Sequence, residues 1–184
     1  MSMPRAAFPS PNRALTGVER RFGDDEVIVT KSDLKGRITY ANRTFLTVSG
    51  YTEREALGAP HSILRHPGMP RSAFHLMWRM IGEGREFFGY VLNRAKHGDH
   101  YWVFAHVTPS FGAGGEITGY HSNRRAPDAR VIAESVAPLY RHLVEEEARQ
   151  ASLSAAIAAG TALLDRTLTE LETDYDRYMF SLQG

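Results

Sequence analysis

Cysteine is absent from this chain, and its absence excludes disulfides, thiolate metal sites and cysteine nucleophiles. No apolar run reaches the roughly 18 residues that a membrane-spanning helix needs, and the first residues lack the charged-then-apolar pattern of a secretory signal. An excess of one charge is missing too, because 22 Lys and Arg residues balance 21 Asp and Glu residues. A basic field for nucleic acid is therefore not expected. The composition predicts a soluble cytoplasmic protein with no nucleic-acid partner and no membrane span.

Motifs of the common enzyme classes are missing as well. No Gly-x-Gly-x-x-Gly follows a strand, no phosphate-binding P-loop is present, and no serine occupies a nucleophile elbow. None of the eight histidines belongs to the helical i, i+4 pair of a zinc protease or to a structural zinc set. We therefore predict that the chain is not an enzyme and has no metal site built from its side chains. A heme with a single axial histidine stays open, and the candidate ligands are His61, His66, His97, His100 and His106.

Changes in composition and in hydrophobic pattern divide the chain into three parts. Residues 1–24 carry scattered charges and several prolines, and we interpret them as a flexible or helical arm with a weak capping box from Thr16 to Glu19. Residues 25–126 alternate β-type runs with short helical stretches, which indicates a single domain. Residues 127–184 have a helical pattern to the end.

The middle part predicts an antiparallel sheet with short helices on one face. A hairpin is expected about the Asp33–Gly36 turn, between β-type runs at 27–30 and 37–40. Gly and Pro residues then divide 42–85 into short helices, the longest of which begins near Pro70 and ends at Gly82. Three more strands follow, at 87–95, 100–110 and 116–124. Two strands, a group of helices and three further strands make a five-stranded α+β fold.

Apolar residues recur at three- and four-residue steps through the last part, among them Leu153, Leu164, Leu168 and Leu171. The pattern is typical of an amphipathic helix. Two arrangements fit it: a helix folded back on the domain, or a coiled coil that joins two or more copies and carries a signal. We favour the coiled coil, because the middle part has enough apolar sequence for its own core.

Several residues suit the wall of a pocket for a flat, phosphate-bearing ligand. Arg65 and His66 precede Pro67, which discourages helix, so their side chains are expected to project from an irregular loop. The guanidinium of Arg65 is a planar donor fork that matches phosphate or ring carbonyl oxygens. Trp78 follows one helical stretch later and offers a flat apolar surface.

Ordinary structural roles are open to the same residues. Arg65 and His66 suit a solvated loop, Trp78 suits the core beside a helix, and Asn42 suits a helix N-cap. Asn93 lies inside a predicted strand, where Asn is disfavoured, so its side chain is expected to have a polar partner. Residue type and spacing alone do not decide between the two sets of roles.

Seven phrases of the chain, taken in order, are similar to the flavin-binding PAS domain of aerotaxis receptors. They are Asp33-Leu34-Lys35-Gly36-Arg37-Ile38-Thr39-Tyr40-Ala41-Asn42, Val48-Ser49-Gly50-Tyr51-Thr52, Pro60-His61 through Met69-Pro70, Met77-Trp78, Asn93-Arg94, Gly98-Asp99-His100-Tyr101-Trp102-Val103 and Gly119-Tyr120. The similarity covers about residues 26–143, and the Arg-His-Pro and Gly-Asp-His-Tyr-Trp phrases are not general features of PAS domains.

This resemblance implies a PAS fold that holds FAD noncovalently and reports redox state or oxygen. The flavin state is then expected to pass to the C-terminal helix and on to a downstream signalling protein, as in aerotaxis or energy taxis. The resemblance also implies that six residues contact the cofactor: Asn42, Arg65, His66, Trp78, Phe87 and Asn93. Asn42 and Asn93 would bond the isoalloxazine edge, Trp78 would pack near the adenine or ring system, and Arg65 with His66 would hold the ligand in place.

Two positions depart from the family pattern. Gly68 stands where an Asp is usual, which removes a carboxylate near the ligand, and Phe87 replaces a frequent Trp, which removes an indole donor. Two other functions remain alternatives: a heme-binding PAS gas sensor, and a cofactor-free PAS module for dimerisation or protein interaction.

Overall fold

The β-type runs of the middle part form one five-stranded antiparallel sheet. The structure, a computed structural model, describes residues 14–183. The strands are β1 (Ile28–Ser32), β2 (Ile38–Ala41), β3 (Phe87–Arg94), β4 (His100–Phe111) and β5 (Ile117–Arg125). They lie in the order β2-β1-β5-β4-β3, and every neighbouring pair is antiparallel. The five-stranded α+β fold that the sequence predicts is confirmed.

The predicted hairpin joins β1 to β2 through an Asp turn. The Asp33 carboxylate accepts hydrogen bonds from the backbone N–H groups of Lys35 at 2.9 Å and Arg37 at 2.8 Å. Gly36 has a φ of 70°, a left-handed conformation that glycine adopts without a steric cost. The turn therefore follows from local chemistry.

Short helices cover one face of the sheet. They are α1 (Arg43–Ser49), α2 (Glu53–Ala56), a 3₁₀ turn (His61–Leu64) and α3 (Arg71–Gly82). Helix α2 starts with a complete capping box between Thr52 and Glu55, and α3 starts directly after Pro70, as the sequence predicts. Between these helices and the sheet lies a core that includes Ile28, Phe45, Leu64, Ile81 and Val103.

The N-terminal arm lies along the start of β4. Arg20 donates its backbone N–H to the carbonyl of His100 at 2.7 Å, and His100 donates to Val18 at 2.9 Å. The Thr16 hydroxyl donates to Asp99 at 2.7 Å and accepts from the N–H of Val18. No helix occurs in residues 14–27, so the predicted capping box at Thr16 is wrong. The rest of the predicted arm, residues 1–13, lies outside the described residues.

The C-terminal part is a set of separate helices that fold back on the domain. Helix α4 (Ala129–Val131) continues through a π-helical turn (Ile132–Val136) into α5 (Ala137–Ala148), and α6 (Leu153–Glu170) and α7 (Tyr175–Ser181) follow. Helix α6 packs against α3 and α5, and α7 contacts β3. The Ser152 hydroxyl and the Asp174 carboxylate cap α6 and α7, and each cap marks a new helix start.

Within one chain these helices fold back on the domain, as in the first of the two predicted arrangements, and a coiled coil between copies stays a prediction. Leu164 and Leu168 are buried within the chain, whereas Leu153 and Leu171 are 58% and 53% exposed. The apolar residues therefore do not form one continuous seam, because the breaks after α5 and α6 turn successive segments in different directions.

The second face of the sheet is covered by this helical segment. The Tyr140 hydroxyl donates to the carbonyl of Tyr90 at 2.6 Å, and the rings of Tyr140 and Trp102 lie 5.9 Å apart. Phe180 of α7 packs on Phe88 with ring centroids 4.8 Å apart. Among the described residues, no helix is both long and apolar enough to cross a membrane.

Candidate cofactor-binding site

A cavity opens between α3 and the sheet. Its volume is about 160 Å³, and open solvent at the mouth brings the total empty space to about 890 Å³. The cavity alone is therefore smaller than the roughly 300–1,000 Å³ that is typical of small-molecule sites. The sheet side is mixed in polarity and the α3 side is apolar. The lining residues are Thr30, Ser32, Lys35, Gly36, Pro60, His61, Ser62, Leu64, Arg65, Phe74, Met77, Trp78, Ile81, Val91, Asn93, Ala105, Val107, Tyr120, Ser122 and Arg124.

A buried guanidinium lies at the sheet side of the cavity. Arg124 of β5 is 6% exposed, and its Nη2 donates to the Thr30 hydroxyl at 3.1 Å and to Nε2 of His61 at 2.8 Å. Both partners are uncharged acceptors, and no carboxylate of the described residues forms an ion pair with Arg124. Burial lowers the pKa of Arg124 to about 10, so it remains a cation at neutral pH. A buried cation without a counterion is costly and points to an electron-rich ligand.

His61 is held neutral beside this cation. Desolvation, with the positive charge of Arg124 as the second cause, lowers the pKa of His61 to about 3. Because Nε2 accepts from Arg124, the ring proton must reside on Nδ1. His61 therefore orients the guanidinium and contributes no charge of its own.

Two more polar atoms on the sheet side are buried without partners. Nδ2 of Asn93 on β3 and Oγ of Ser122 on β5 have no hydrogen-bond partner among the described residues. Asn93 is directly paired with Arg65 through an antiparallel backbone bridge, and directly opposed residues in such a pair project to the same side. The bridge explains why a loop arginine and a strand asparagine face one cavity.

Aromatic side chains shape the mouth. Trp78 of α3 is 38% exposed and meets Tyr120 edge to face, with ring centroids 5.5 Å apart. A Cβ at Gly36 would lie 3.0 Å from the Trp78 ring, so only glycine leaves that ring undisturbed. The Arg65 guanidinium stacks 5.0 Å from the Phe74 ring, which holds a cation beside the opening.

Three of the six residues implied by the resemblance line this cavity, namely Arg65, Trp78 and Asn93. Asn42 does not, because its side chain is used by the backbone around it. Its Oδ1 accepts from Val29 and from Phe45, and its Nδ2 donates to the Val27 carbonyl at 2.7 Å. Asn42 is thus the N-cap of α1, the ordinary role that its position also allows.

His66 and Phe87 also lie outside the lining. Nδ1 of His66 accepts from the N–H of Gly68 at 3.0 Å, and burial lowers the pKa of His66 to about 4. Phe87 is buried and stacks on Tyr175 of α7 at 5.7 Å. Phe87 therefore contributes to the contact between the sheet and the C-terminal segment.

The histidines offer little to a metal. Of the five candidate heme ligands, only His61 lines the cavity, and Arg124 already occupies its Nε2. His106 lies at 2.9 Å from the Glu86 carboxylate outside the cavity. Among the described residues, no group of three or more His, Asp or Glu side chains could hold a metal ion.

Sequence reasoning missed the residues on the sheet side. Thr30, Ser122 and Arg124 reach the cavity because they occupy the inward positions of β1 and β5, where Thr30 pairs with Ser122. The available signal was the two-residue period of β5, which puts Tyr120, Ser122 and Arg124 on one face. That period does not say which face is inward, and the exposed neighbour Arg125 has the same chemistry.

The arrangement fits a flat conjugated ring system. Buried donors on the sheet side match ring carbonyls and ring nitrogens, and the apolar surface of α3 matches the ring face. Residues 38–124 match the family model described as the PAS fold. The chain contains a PAS domain.

Relatives of this PAS domain are signalling proteins by name. The chain is 47% identical over 123 residues to the aerotaxis receptor of Escherichia coli (strain K12), covering 66% of this chain and 24% of the receptor. It is 28% identical over 131 residues to a nitrogen fixation regulatory protein of Klebsiella pneumoniae, covering 71% of this chain and 26% of that protein. The chain thus spans about a quarter of the length of these relatives.

A solved structure shares the fold. The dark structure of the blue-light photoreceptor Aureochrome1 LOV aligns with a TM-score of 0.52 and 24% identity, over 67% of this chain and 86% of that one. At this identity the likeness concerns the fold alone.

Proposed function

We propose that this PAS domain binds FAD and senses redox state or oxygen. Two buried groups on the sheet side of the cavity carry the proposal: the Arg124 cation, which has hydrogen bonds but no counterion, and Nδ2 of Asn93, which has no hydrogen-bond partner among the described residues. Burial of such groups is unfavourable unless a ligand or water satisfies them. The similarity to an aerotaxis receptor favours a flavin as that ligand.

The residues present fit an isoalloxazine ring and its phosphate chain. Nδ2 of Asn93 and the guanidinium of Arg124 are donors for ring carbonyls or ring nitrogens, and Met77 and Trp78 offer apolar surface for the ring face. Arg65, at the mouth, is a donor for phosphate. A bound flavin would supply electron transfer in one- or two-electron steps. The cation of Arg124 would favour a ring that gains negative charge on reduction.

Transmission to the C-terminal helices is part of the proposal. Reduction changes the hydrogen bonding and charge of the ring, and the side chain of Asn93 is expected to change partner in response. Such a switch works only if the two flavin states favour different packing of the protein. The proposed receiver is the helical segment, through which a downstream signalling protein would be engaged.

The first test is an absorption spectrum of freshly purified protein, followed by denaturation and chromatography of the released chromophore. A two-band oxidised-flavin spectrum with released FAD is the expected result. A Soret band would indicate bound heme, and the protein would then be a heme sensor and not a flavin sensor. Colourless protein that also fails to bind added FAD would favour the cofactor-free interaction module.

Matched variants locate the site. Asn93→Ala and Trp78→Ala are expected to weaken FAD binding at least about tenfold, since each removes a donor or a ring contact. Asn123→Ala and Trp102→Ala alter the same residue types on the opposite face of the sheet and should leave FAD binding unchanged. Full FAD occupancy in both cavity variants would show that the site is elsewhere.

Self-association through the C-terminal segment remains a proposal. In the folded-back arrangement, Leu153 and Leu171 are the exposed leucines that are available for it. Light scattering of the intact chain and of a Leu153→Ser, Leu171→Ser variant tests this contact. A dimer that persists in the variant would exclude these two side chains from the interface.

A further inference from the structure

A buried carboxylate joins the C-terminal helices to the helix that lines the cavity. Glu147, in the last turn of α5, is 7% exposed. Its two oxygens accept three hydrogen bonds from the start of α3: from the Arg71 N–H at 2.9 Å, the Ser72 N–H at 2.9 Å and the Ser72 hydroxyl at 2.7 Å. A carboxylate at a helix N-terminus also interacts favourably with the helix dipole. Pro70, which precedes α3, makes no side-chain cap of its own, so Glu147 takes that place.

Helix α6 closes over the same three hydrogen bonds. A Cβ at Gly160 would lie 2.7 Å from the Glu147 carboxylate and 2.7 Å from the Ser72 hydroxyl. Gly160 is buried, and its missing side chain lets α6 approach the junction of α5 with α3. Three helices therefore meet at one polar cluster, here called the Glu147 clamp and made of Ser72, Glu147, Gly160 and the backbone of Arg71.

The other end of this connection is the cavity itself. Phe74, Met77, Trp78 and Ile81 all project from α3 into the lining, beginning two residues after Ser72. A helix moves largely as a rigid unit over such a distance, because its backbone hydrogen bonds link each turn to the next. A shift of the apolar cavity wall must therefore be felt at the clamp.

We propose that Glu147 is a positioning residue that couples the C-terminal helices to the cavity-lining helix α3. The link bypasses the sheet: it connects ligand, α3 and the α5–α6 pair through one carboxylate. The idea that this connection carries a flavin signal rests on the proposed function. The mechanical link between α3 and the α5–α6 pair does not depend on it. The coupling is reciprocal, so release of the helices should also loosen the cavity wall.

Hydrogen exchange of the ligand-free protein tests the mechanical link. Glu147→Gln keeps the size of the side chain but replaces one carboxylate oxygen by an NH₂ group. That group faces an N–H or hydroxyl donor of Arg71 or Ser72, so the hydrogen bond there is lost. We expect amides of 74–81 in α3 and of 153–164 in α6 to exchange about tenfold faster, the effect of one lost charge-assisted hydrogen bond on a local opening. Glu145→Gln, an exposed position on the same helix, is the control and should leave both segments unchanged.

A second variant opens the clamp from the α6 side. Gly160→Ala introduces a methyl group that separates Glu147 from Ser72 or displaces α6, and we expect the same acceleration at 74–81. Gly82→Ala is the matched control, because a Cβ there meets no atom within 4 Å. Faster exchange confined to 71–73 in both clamp variants would refute the coupling. Equal acceleration in β1 would refute it too, because it would signal general destabilisation.

The flavin-loaded protein tests the signal route. In the wild type, FAD should slow exchange in α3 and also in α5 and α6; in Glu147→Gln the protection of α3 should persist while that of α5 and α6 is lost. FAD affinity should fall about fivefold or more. Protection of α6 that survives in Glu147→Gln would exclude the clamp as the route. Failure of the wild type to bind FAD would refute the proposed function, and the ligand-free exchange data would still decide the link.

Discussion

Replacing Arg124 by Met should separate the stability of this domain from its function. Burial lowers the pKa of Arg124 from its ordinary value to about 10, which corresponds to a cost of about 3 kcal/mol for the charged form in the folded state. The two hydrogen bonds to Thr30 and His61 return about 1 kcal/mol each. The net effect of Arg124 on the ligand-free fold is thus unfavourable by about 1 kcal/mol.

Ligand-free Arg124→Met is therefore expected to be more stable than the wild type by about 1 kcal/mol, or by about 2–4 °C in Tm. The gain should be constant below about pH 9, because the group is protonated in both the folded and the unfolded state there. FAD binding should weaken at least about tenfold, since a charged donor to the ring is lost. Urea denaturation of the ligand-free protein and FAD titration measure the two effects.

The control for this prediction is Arg125→Met, the exposed neighbour on β5, which should change neither quantity. A loss of more than about 2 kcal/mol in ligand-free Arg124→Met would refute the reasoning. It would mean that Arg124 is held by favourable structural contacts, and a site for an electron-rich ligand would lose its main support.

Three further outcomes follow from single positions. Gly36→Ala and Gly115→Ala both place an L residue at a positive φ, which should lower the free energy of unfolding by about 1 kcal/mol. Gly36→Ala should lower it further and shift the tryptophan emission, because only Gly36 faces the Trp78 ring. Equal losses of stability in the two variants would contradict this. Asn42→Ala removes three hydrogen bonds to the backbone and should lower the free energy of unfolding, measured by urea denaturation, by about 2 kcal/mol, with FAD affinity unchanged. A loss of FAD affinity without a loss of stability would show that Asn42 contacts the ligand. The pKa of His61 lies near 3 in the folded protein and is ordinary in the unfolded one, so the stability that neutral His61 contributes is fully present above pH 6.5 and falls as the pH drops toward 3. In acid denaturation, His61→Gln should make the free energy of unfolding less dependent on pH over this range. An unchanged pH dependence would contradict burial of the neutral ring.

Local pattern was sufficient for the order of elements. The hairpin at Asp33 and Gly36, the start of α3 after Pro70 and the three following strands depend on turn chemistry and on two- or three-residue periodicity. Those signals act between residues close in sequence. The capping box at Thr16 failed because the same hydroxyl found a distant partner in Asp99.

Of the six residues that the resemblance implied for a cofactor site, only half lie at the candidate site. Arg65, Trp78 and Asn93 line the cavity, whereas His66 and Phe87 have partners elsewhere. The similarity to a family identifies residue types that the family shares. Whether such a residue faces the cavity depends on the direction of its side chain, which the similarity does not give.

Composition excludes thiol chemistry and sets a net charge of +1, and short-range pattern is enough to predict the order of strands and helices, because both depend only on residue type and near neighbours. The PAS fold was implied by the phrases that are similar to aerotaxis-receptor domains. The tertiary structure brings together residues that are far apart in the chain. It placed Arg124 beside His61, 63 positions away, and it brought the Glu147 carboxylate to the start of α3, 75 positions earlier at Ser72. Neither residue carries a local signal, because an arginine in a strand or a glutamate in a helix is ordinarily solvated. Their roles arise only when folding removes water and leaves other parts of the chain as their neighbours.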